Sequence, residues 1–352
     1  MGGLFYGIYY SLFSALTINH IIVIIKLGYN ILTDLILQVI FVIYVKILIA
    51  AFVLMIITVF IAFLCYKKVF TVDKEKIKSP YKFPSSEQYE RVKDIITSMI
   101  DTAREIKCED VFIKSHDNFL LHGRYYETTK NAPVQIMFHG YRSHPLKDFS
   151  GGLKLAVDMG YNVLLVDQRA HGESEGRCLS FGILERYDCL AWSKYIVDRC
   201  GENTKIILVG ISMGAASVLM ASALDLPYNV KGIIADCGYS SPSEINRKVM
   251  RDLKYPEFPL YRFVKLGAKL FGKFDLECAS AKEALKNNKI PVLFIHGDDD
   301  RFVPCEMSVD NFNACTGQKE LCIIPKAGHA LSFIAGQEAY IDAVVKFLKK
   351  VI

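Results

Sequence analysis

The chain has 352 residues, 52% hydrophobic and 22% charged, with 42 basic against 37 acidic side chains and a net charge of +5. That length suits one large domain or two modest ones. The charge argues against a nucleic-acid partner: a nucleic-acid binder spreads basic surface over its folded domain, whereas here six lysines between 67 and 82, set against Asp73 and Glu75, supply a local +4 and the rest is close to neutral.

The first 66 residues carry only Lys26, Asp34 and Lys46 as charged side chains. Within them, 47–66, ILIAAFVLMIITVFIAFLCY, is a charge-free run of 20 residues. A helix of that length spans about 30 Å, the thickness of a hydrocarbon core. No polar face recurs at helical period, so a buried helix of a soluble domain is the weaker reading. A cleavable signal peptide fits poorly as well, because lysines follow the run and no small-residue cleavage site does. Residues 4–25 are apolar but interrupted by Ser11, Ser14, Thr17, Asn19 and His20. They form a possible second span. The expectation is a membrane anchor over 1–66, single-pass or two-pass, and a Lys-rich linker over 67–84. Lysines cluster after Tyr66 and are sparse before Ile47, which places the following domain on the cytoplasmic side. The ten cysteines are scattered, with no CxxC pair and no Cys/His cluster. They read as reduced thiols and neither as a disulfide framework nor as a metal site.

The segment 85–106 opens with a capping-type sequence and places Val92, Ile95, Ile96, Met99 and Ile100 at helical spacing. Two strand-like runs, EDVFIKS and FLLHGRYYE, flank the turn His116-Asp117-Asn118. After Pro133 short apolar strands (134–138, 162–166, 205–209, 230–235, 292–296, 321–324) alternate with helical stretches near 147–159, 183–199, 213–224, 305–315 and 332–349. Such alternation implies an α/β fold whose mostly parallel sheet is covered on both faces. Between Asp236 and Pro291 it is interrupted by a long stretch read as a helical cap insertion, about 237–288. Its aromatic and aliphatic residues (Tyr239, Tyr255, Phe258, Tyr261, Phe263, Leu266, Leu270, Phe271, Phe274) either line an apolar pocket or simply pack the insertion onto the sheet.

The chemistry centres on Gly210-Ile211-Ser212-Met213-Gly214, which follows a strand and opens a helix rich in small residues. A G-x-S-x-G elbow in that context holds a serine on a strained turn with its Oγ above the sheet. The bland alternative is a glycine-containing strand–helix turn. A serine hydroxyl needs a base, and the order Ser, then acid, then His is completed downstream. HGDDDRFVP (296–304) ends one strand with Asp298, Asp299 and Asp300, and AGHA (327–330) places His329 after the next. Taken singly, the aspartates could be a solvated turn or a cation site, and His329 a loop residue. Their common position at strand C-terminal ends argues against coincidence. Oxyanion donors are expected at the backbone N–H of Met213 and of Tyr141, the latter in HGYRSH (139–144). His139 as a second base is a minor alternative.

The motifs HGYRSH, VDQRAHGESEG, GISMGA, DCGYSS, HGDDDRFVP and AGHA occur in the order of an α/β-hydrolase, and the chain from about 109 to 350 resembles that superfamily. It is most similar to the serine-hydrolase branch that includes the Bem46-like proteins and the S9/S33-type peptidase relatives. The family pattern H-G-x-x-D-x-x-V-P puts the acid at Asp300. The family's usual Arg-Gly-His is here Arg169-Ala170-His171, a small departure. The resemblance implies Ser212 as nucleophile, His329 as general base, Asp300 as its orienter, an acyl-enzyme, and no cofactor or metal. The expected activity is that of a membrane-anchored serine hydrolase on esters or thioesters, carboxylesterase- or lipase-like, with a small-molecule or lipid ester as substrate. Competing readings are a serine peptidase of the same superfamily and a non-catalytic membrane-bound binding or scaffold protein on the same fold.

Overall fold

The computed structural model describes residues 2–352, with side chains described at residue 14 and from residue 17 onward. The chain divides into two units, Met1–Ile61 and Ala62–Ile352.

The described residues of the first unit are helical and belong to α1 (Gly2–Phe70), a continuous helix with no break between 4–25 and 47–66. The side chains of the weaker apolar stretch are in large part outside the described residues. From Ile18 to Phe60 the large apolar side chains are exposed, Leu37 and Leu54 among the most open. An apolar surface that wide is not tolerated in water. Among the described helices α1 is the one long and apolar enough to cross a membrane.

The second unit begins inside the same helix. The final turns do not end at Tyr66, as the lysines at 67 and 68 suggest, but run on to Phe70. The reason is packing: Ala62, Tyr66 and Phe70 are buried. Phe70 meets Phe181 and Phe274 edge-to-face, with ring centroids 5.8 Å and 5.3 Å apart. Two short helices, α2 (Lys74–Ile77) and α3 (Glu87–Glu90), lead to α4 (Lys93–Arg104). The predicted helix over 85–106 is therefore divided at Arg91 and Val92.

The sheet has eight strands in the order β1-β2-β4-β3-β5-β6-β7-β8. β1 (Glu109–Lys114) and β2 (Leu120–Tyr126) form a hairpin, and β2 lies antiparallel to β4 (Asn162–Val166). From β4 onward, through β3 (Val134–Phe138), β5 (Ile206–Ile211), β6 (Val230–Asp236), β7 (Val292–Gly297) and β8 (Lys319–Ile324), all pairs are parallel. Side chains alternate across the sheet. Ile136, Phe138, Leu164, Val166 and Leu208 face one core, which also contains Trp192 of α6 (Glu185–Cys200) and the small residues of α7 (Met213–Ala221). Met137, Val163, Leu165, Ile207 and Val209 face the other, against α5 (Pro145–Asp158) and α13 (Gln337–Val351).

The insertion between β6 and β7 is helical, as the prolines and the interrupted alternation imply. It comprises α8 (Pro242–Asp252), α9 (Glu257–Gly267), a π-turn (Ala268–Gly272) and α10 (Ala281–Leu285). After β7 come α11 (Cys305–Ala314) and, after β8, α12 (Ser332–Ala335). Tyr66 and Phe70 of α1 share the core formed with Tyr261, Val264, Ala268 and Phe274 of the insertion. The end of the apolar helix is thus part of the interior of the second unit. Removing the Phe70 ring leaves a cavity among three aromatic neighbours, and Phe70→Ala is expected to cost about 3–5 kcal/mol. A urea titration of the full chain in detergent checks this; an unshifted midpoint would mean that the helix end is not packed.

Candidate active site

Ser212 sits between the end of β5 and the start of α7, buried, with φ 55° and ψ −113°. This is backbone that L-residues avoid, and it is imposed by close approach on either side. A Cβ at Gly214 would stand 1.8 Å from the Phe138 carbonyl oxygen, and one at Gly210 would stand 2.4 Å from the Gly214 and Ala215 backbone. The two glycines therefore let α7 start directly against β3 and β5. The Ser212 N–H donates to the Asp236 carbonyl at 2.8 Å, which ties the turn to the neighbouring strand end. Met213 is the first residue of α7, where amides have no intrahelical acceptor.

His329 reaches this serine from the loop after β8. Its Nε2 lies 2.9 Å from Ser212 Oγ, and its Nδ1 lies 2.7 Å from Asp300 Oδ2. The neighbouring carboxylates are occupied elsewhere. Asp298 accepts from the Lys326 N–H, and Asp299 from Gln88 Nε2 at 2.8 Å and Arg301 Nε at 3.1 Å. Asp236, the acid after the preceding strand, accepts from Ser332 Oγ at 3.1 Å, and burial raises its carboxyl to about 6.

Asp300 is held by more than its histidine. Oδ1 accepts from the N–H groups of Phe302 and Val303, both at 2.9 Å. Oδ2 lies 3.1 Å from His296 Nε2. That nitrogen is also 2.9 Å from the Val303 carbonyl, which can only accept, so His296 carries its proton on Nε2 and donates to both. Its Nδ1 then accepts from Ser308 Oγ at 2.7 Å. Burial pushes the Asp300 carboxyl up, but the hydrogen bonds from His296 and His329 outweigh it and leave the group well below the usual carboxylate range. Sequence reading gave His296 no role, although it is the first residue of the H-G-x-x-D-x-x-V-P pattern that ends at Pro304.

The loop after β3 supplies the opposite wall. The Gly140 N–H donates to Asp148 Oδ2 at 2.8 Å, and Ser143 Oγ donates to the other oxygen of the same carboxylate. His139 is fully buried; its Nδ1 donates to the Gly140 carbonyl, and its Nε2 accepts from the Gln168 N–H at 3.1 Å. Both ring nitrogens are engaged, so His139 holds the loop and is not a second base. Tyr141 lines the cavity beside Ser212. Its hydroxyl donates to the Val69 carbonyl at 2.9 Å, and Arg142 donates to the Lys68 and Thr71 carbonyls at 2.7 Å and 2.8 Å.

Ser212, His329 and Tyr141 open on a cavity of about 800 Å³ with Val92, Ile211, Phe302, Leu331 and Ile334 in its walls. No residue of 237–288 lines it, which corrects the reading of the insertion as a pocket. The insertion's aromatics turn inward onto α7 and the end of α1, or outward. The wall is supplied instead by the segment around α3, from Pro84 to Val92. Tyr89 donates to the His329 carbonyl at 3.2 Å, while Gln88 holds Asp299. A Cβ at Gly328 would stand 2.3 Å from Gln88 Oε1, so this contact is close. Burial, and then the charges of Asp148, Cys237, Asp300 and Asp236, push the Tyr89 phenol well above its ordinary value, keeping it a donor.

Cys237, Asp300 and His329 place potential metal-ligand atoms within 4.8 Å of one another. Ligation would require breaking the His329–Asp300 hydrogen bond. It would also need a thiolate, which burial and the charges of Asp236 and Asp300 disfavour by raising the Cys237 thiol well above its ordinary value. Cation binding at these three atoms would therefore compete with the hydrogen-bonded order already present.

The sequence model of the alpha/beta hydrolase family matches residues 119–345. The chain belongs to the alpha/beta hydrolase family. It is 27% identical over 226 residues to the uncharacterized protein YqkD of Bacillus subtilis, covering 64% of this chain and 74% of that one. It is 23% identical to protein bem46 of Schizosaccharomyces pombe, over 63% of this chain and 69% of the relative. It is 25% identical to the lysophosphatidylserine lipase ABHD12 of Danio rerio, over 57% and 51%. Among solved structures, the Pyrococcus furiosus esterase Pf2001 superposes with a TM-score of 0.59 at 26% identity, over 70% of this chain and 92% of the esterase. With esterases and a lipase among its relatives, this member is a hydrolase by fold and kinship.

The three adjacent aspartates separate the roles by geometry. Asp300→Asn puts an amide N–H or a weaker acceptor at His329 Nδ1 and is expected to lower turnover by roughly 10³–10⁴-fold. Asp298→Asn and Asp299→Asn, on the outside of the turn, are expected to stay within about tenfold. Parallel rates on a common aryl ester decide between them, and a larger loss at Asp299 would move the acid.

Proposed function

We propose that this hydrolase is a membrane-anchored serine hydrolase that cleaves carboxylic esters or thioesters with apolar acyl groups. The observation that carries the proposal is the hydrogen-bonded chain from Ser212 through His329 to Asp300, opening on a cavity whose walls include Val92, Ile211, Phe302, Leu331 and Ile334 beside charged residues such as Arg91, Lys147 and Arg301.

In this reading Ser212 Oγ attacks the acyl carbonyl as its proton passes to His329 Nε2. Asp300 accepts from Nδ1–H, which fixes the tautomer and favours the imidazolium that forms. The Met213 and Tyr141 amides receive the oxyanion; the first is set by the start of α7, the second by the His139–Gly140–Asp148 bracket. The imidazolium then protonates the departing alcohol or thiol. Water, deprotonated by His329, attacks the acyl-enzyme, and its collapse returns Ser212 as a hydroxyl. The names of the relatives as an esterase and a lysophosphatidylserine lipase agree with ester chemistry.

Membrane anchorage rests on the exposed apolar surface of α1. The lysines after Tyr66 assign the catalytic unit to the cytoplasmic side. The ten cysteines, all free and four of them buried, agree with a reducing compartment.

Ser212→Ala is expected to lose aryl-ester turnover by about 10³-fold or more and to lose fluorophosphonate labelling. Retention of both would remove the enzymatic reading. In the wild type, kcat/KM is expected to rise by up to about fourfold per added acyl methylene, the equivalent of ~0.8 kcal/mol, until the cavity is filled. An ester series from acetyl upward measures this, and strict preference for acetyl would contradict an apolar acyl site.

A further inference from the structure

The insertion does not roof the catalytic cavity, so its outward face needs another explanation. Residues 258–273, FPLYRFVKLGAKLFGK, contain Arg262, Lys265, Lys269 and Lys273 and no acidic residue. Tyr261, Val264, Gly267 and Ala268 point inward and are buried. Arg262, Leu266, Lys269, Leu270 and Lys273 recur at helical spacing on the opposite side, half-buried to exposed. Ahead of them Phe258 is 70% exposed, with Arg262 over its ring at 4.9 Å. Leu253 and Tyr255, at the turn into α9, are exposed as well. Lys265 is paired with Glu277, and Glu257 is paired with Arg247 and Arg251. Lys269 and Lys273 are left facing outward.

The inward side of the same element packs on the end of α1. Phe271 packs on Phe63 and Tyr66 with ring centroids 5.2 Å and 5.7 Å away. A Cβ on Gly267 would stand 2.5 Å from the Ala62 carbonyl oxygen, so the two backbones touch there. Ala62, Phe63 and Tyr66 are the last turn of the apolar run 47–66. Where such a run leaves the hydrocarbon, lipid head groups begin. An element fixed at that level, with bulky apolar residues and cations on one face and its one carboxylate, Glu257, already paired with Arg247 and Arg251, has the composition of a helix lying in the membrane interface.

We propose that α9 and the π-turn dock on the anionic surface of the bilayer that α1 enters, with Phe258 and Leu270 among the acyl chains and Arg262, Lys269 and Lys273 at the head groups. A protein partner is less suited, because the carboxylates at this element, Glu257 and Glu277, are already engaged by Arg247, Arg251 and Lys265. The inference rests on the reading of α1 as a membrane anchor, and the experiment separates the two. Full-length protein is reconstituted in phosphatidylcholine vesicles with and without about 30% phosphatidylserine, the choline lipid carrying dibrominated chains. Phe258→Trp reports contact with those chains, and Tyr228→Trp, at an exposed site before β6, is the control. The native Trp192 is buried and common to both.

In the serine-lipid vesicles Phe258→Trp is expected to be quenched about threefold or more strongly than the control. Adding Lys269→Glu and Lys273→Glu is expected to abolish the gain due to the anionic lipid. An alkaline carbonate wash of the same vesicles tests the anchor. Retention in the membrane with no excess quenching at 258 overturns the docking face and leaves the anchor standing. Release by carbonate, with excess quenching before the wash, overturns the anchor and supports the face. Release with no excess quenching overturns both.

Discussion

The site depends on one close approach. The first turn of α7 lies so near the end of β3 that only a hydrogen fits at residue 214, since a Cβ there would overlap the Phe138 carbonyl oxygen. This contact fixes where α7 begins, which fixes the left-handed backbone at Ser212 and raises its hydroxyl above the sheet. Everything else converges on that point from strand ends. Asp300 follows β7, His329 follows β8 and Tyr141 follows β3, and a parallel register brings these ends to one edge. The active constellation is therefore a consequence of strand order, with the histidine and the acid supplied by adjacent strands.

The hydrogen-bonded chain from Ser212 to Asp300 is held by groups outside it. Asp300 receives four donors, of which His329 is only one. A carboxylate so completely satisfied stays ionised in a buried site, because each donor favours the charged form over the protonated one. His296 is itself fixed in one tautomer by a carbonyl and a serine hydroxyl, so it supports Asp300 without competing for its proton. On the other side, His139 spends Nδ1 on the Gly140 carbonyl and Nε2 on the Gln168 N–H. These histidines act as donors and acceptors of fixed sense, and of the three only His329 contacts Ser212.

What the sequence made legible follows the range of the interactions involved. The parallel strands appear as continuous apolar runs because both faces are buried, and their boundaries agree with the reading within one or two residues. The elbow is legible because its requirements are local. Less local features were hidden. The contacts of Gln88 and Tyr89 with the Asp299 and His329 loops join residues more than 200 positions apart. The aromatic residues of the insertion look alike whether they line a pocket, fill a core or face a bilayer, since composition does not give direction. At Ala170 the departure from the family's glycine has a physical meaning: φ is +63°, a conformation that glycine adopts without strain and alanine does not. The Ala170 N–H still donates to the Glu175 carbonyl, so the surrounding loop enforces the turn.

The end of α1 joins the anchor to the chemistry. The last carbonyls of any helix lack intrahelical donors, and here those of Lys68 and Val69, with Thr71 just beyond, receive the Arg142 guanidinium and the Tyr141 hydroxyl. A cation at a helix C-terminus is also favoured by the helix dipole. The same two residues form the loop whose Tyr141 amide is proposed to meet the oxyanion, and Arg142 is itself held at φ 47°. The loop thus has two fixed ends, Asp148 and His139 inside the catalytic unit and the carbonyls of α1 outside the cavity. Displacing the helix end would pull on both the Tyr141 hydroxyl and Arg142, and the Tyr141 amide would move with them. The buried rings of Tyr66 and Phe70 resist that displacement. The final two turns of the apolar helix are thus a wall of the core on which the loop after β3 is hung.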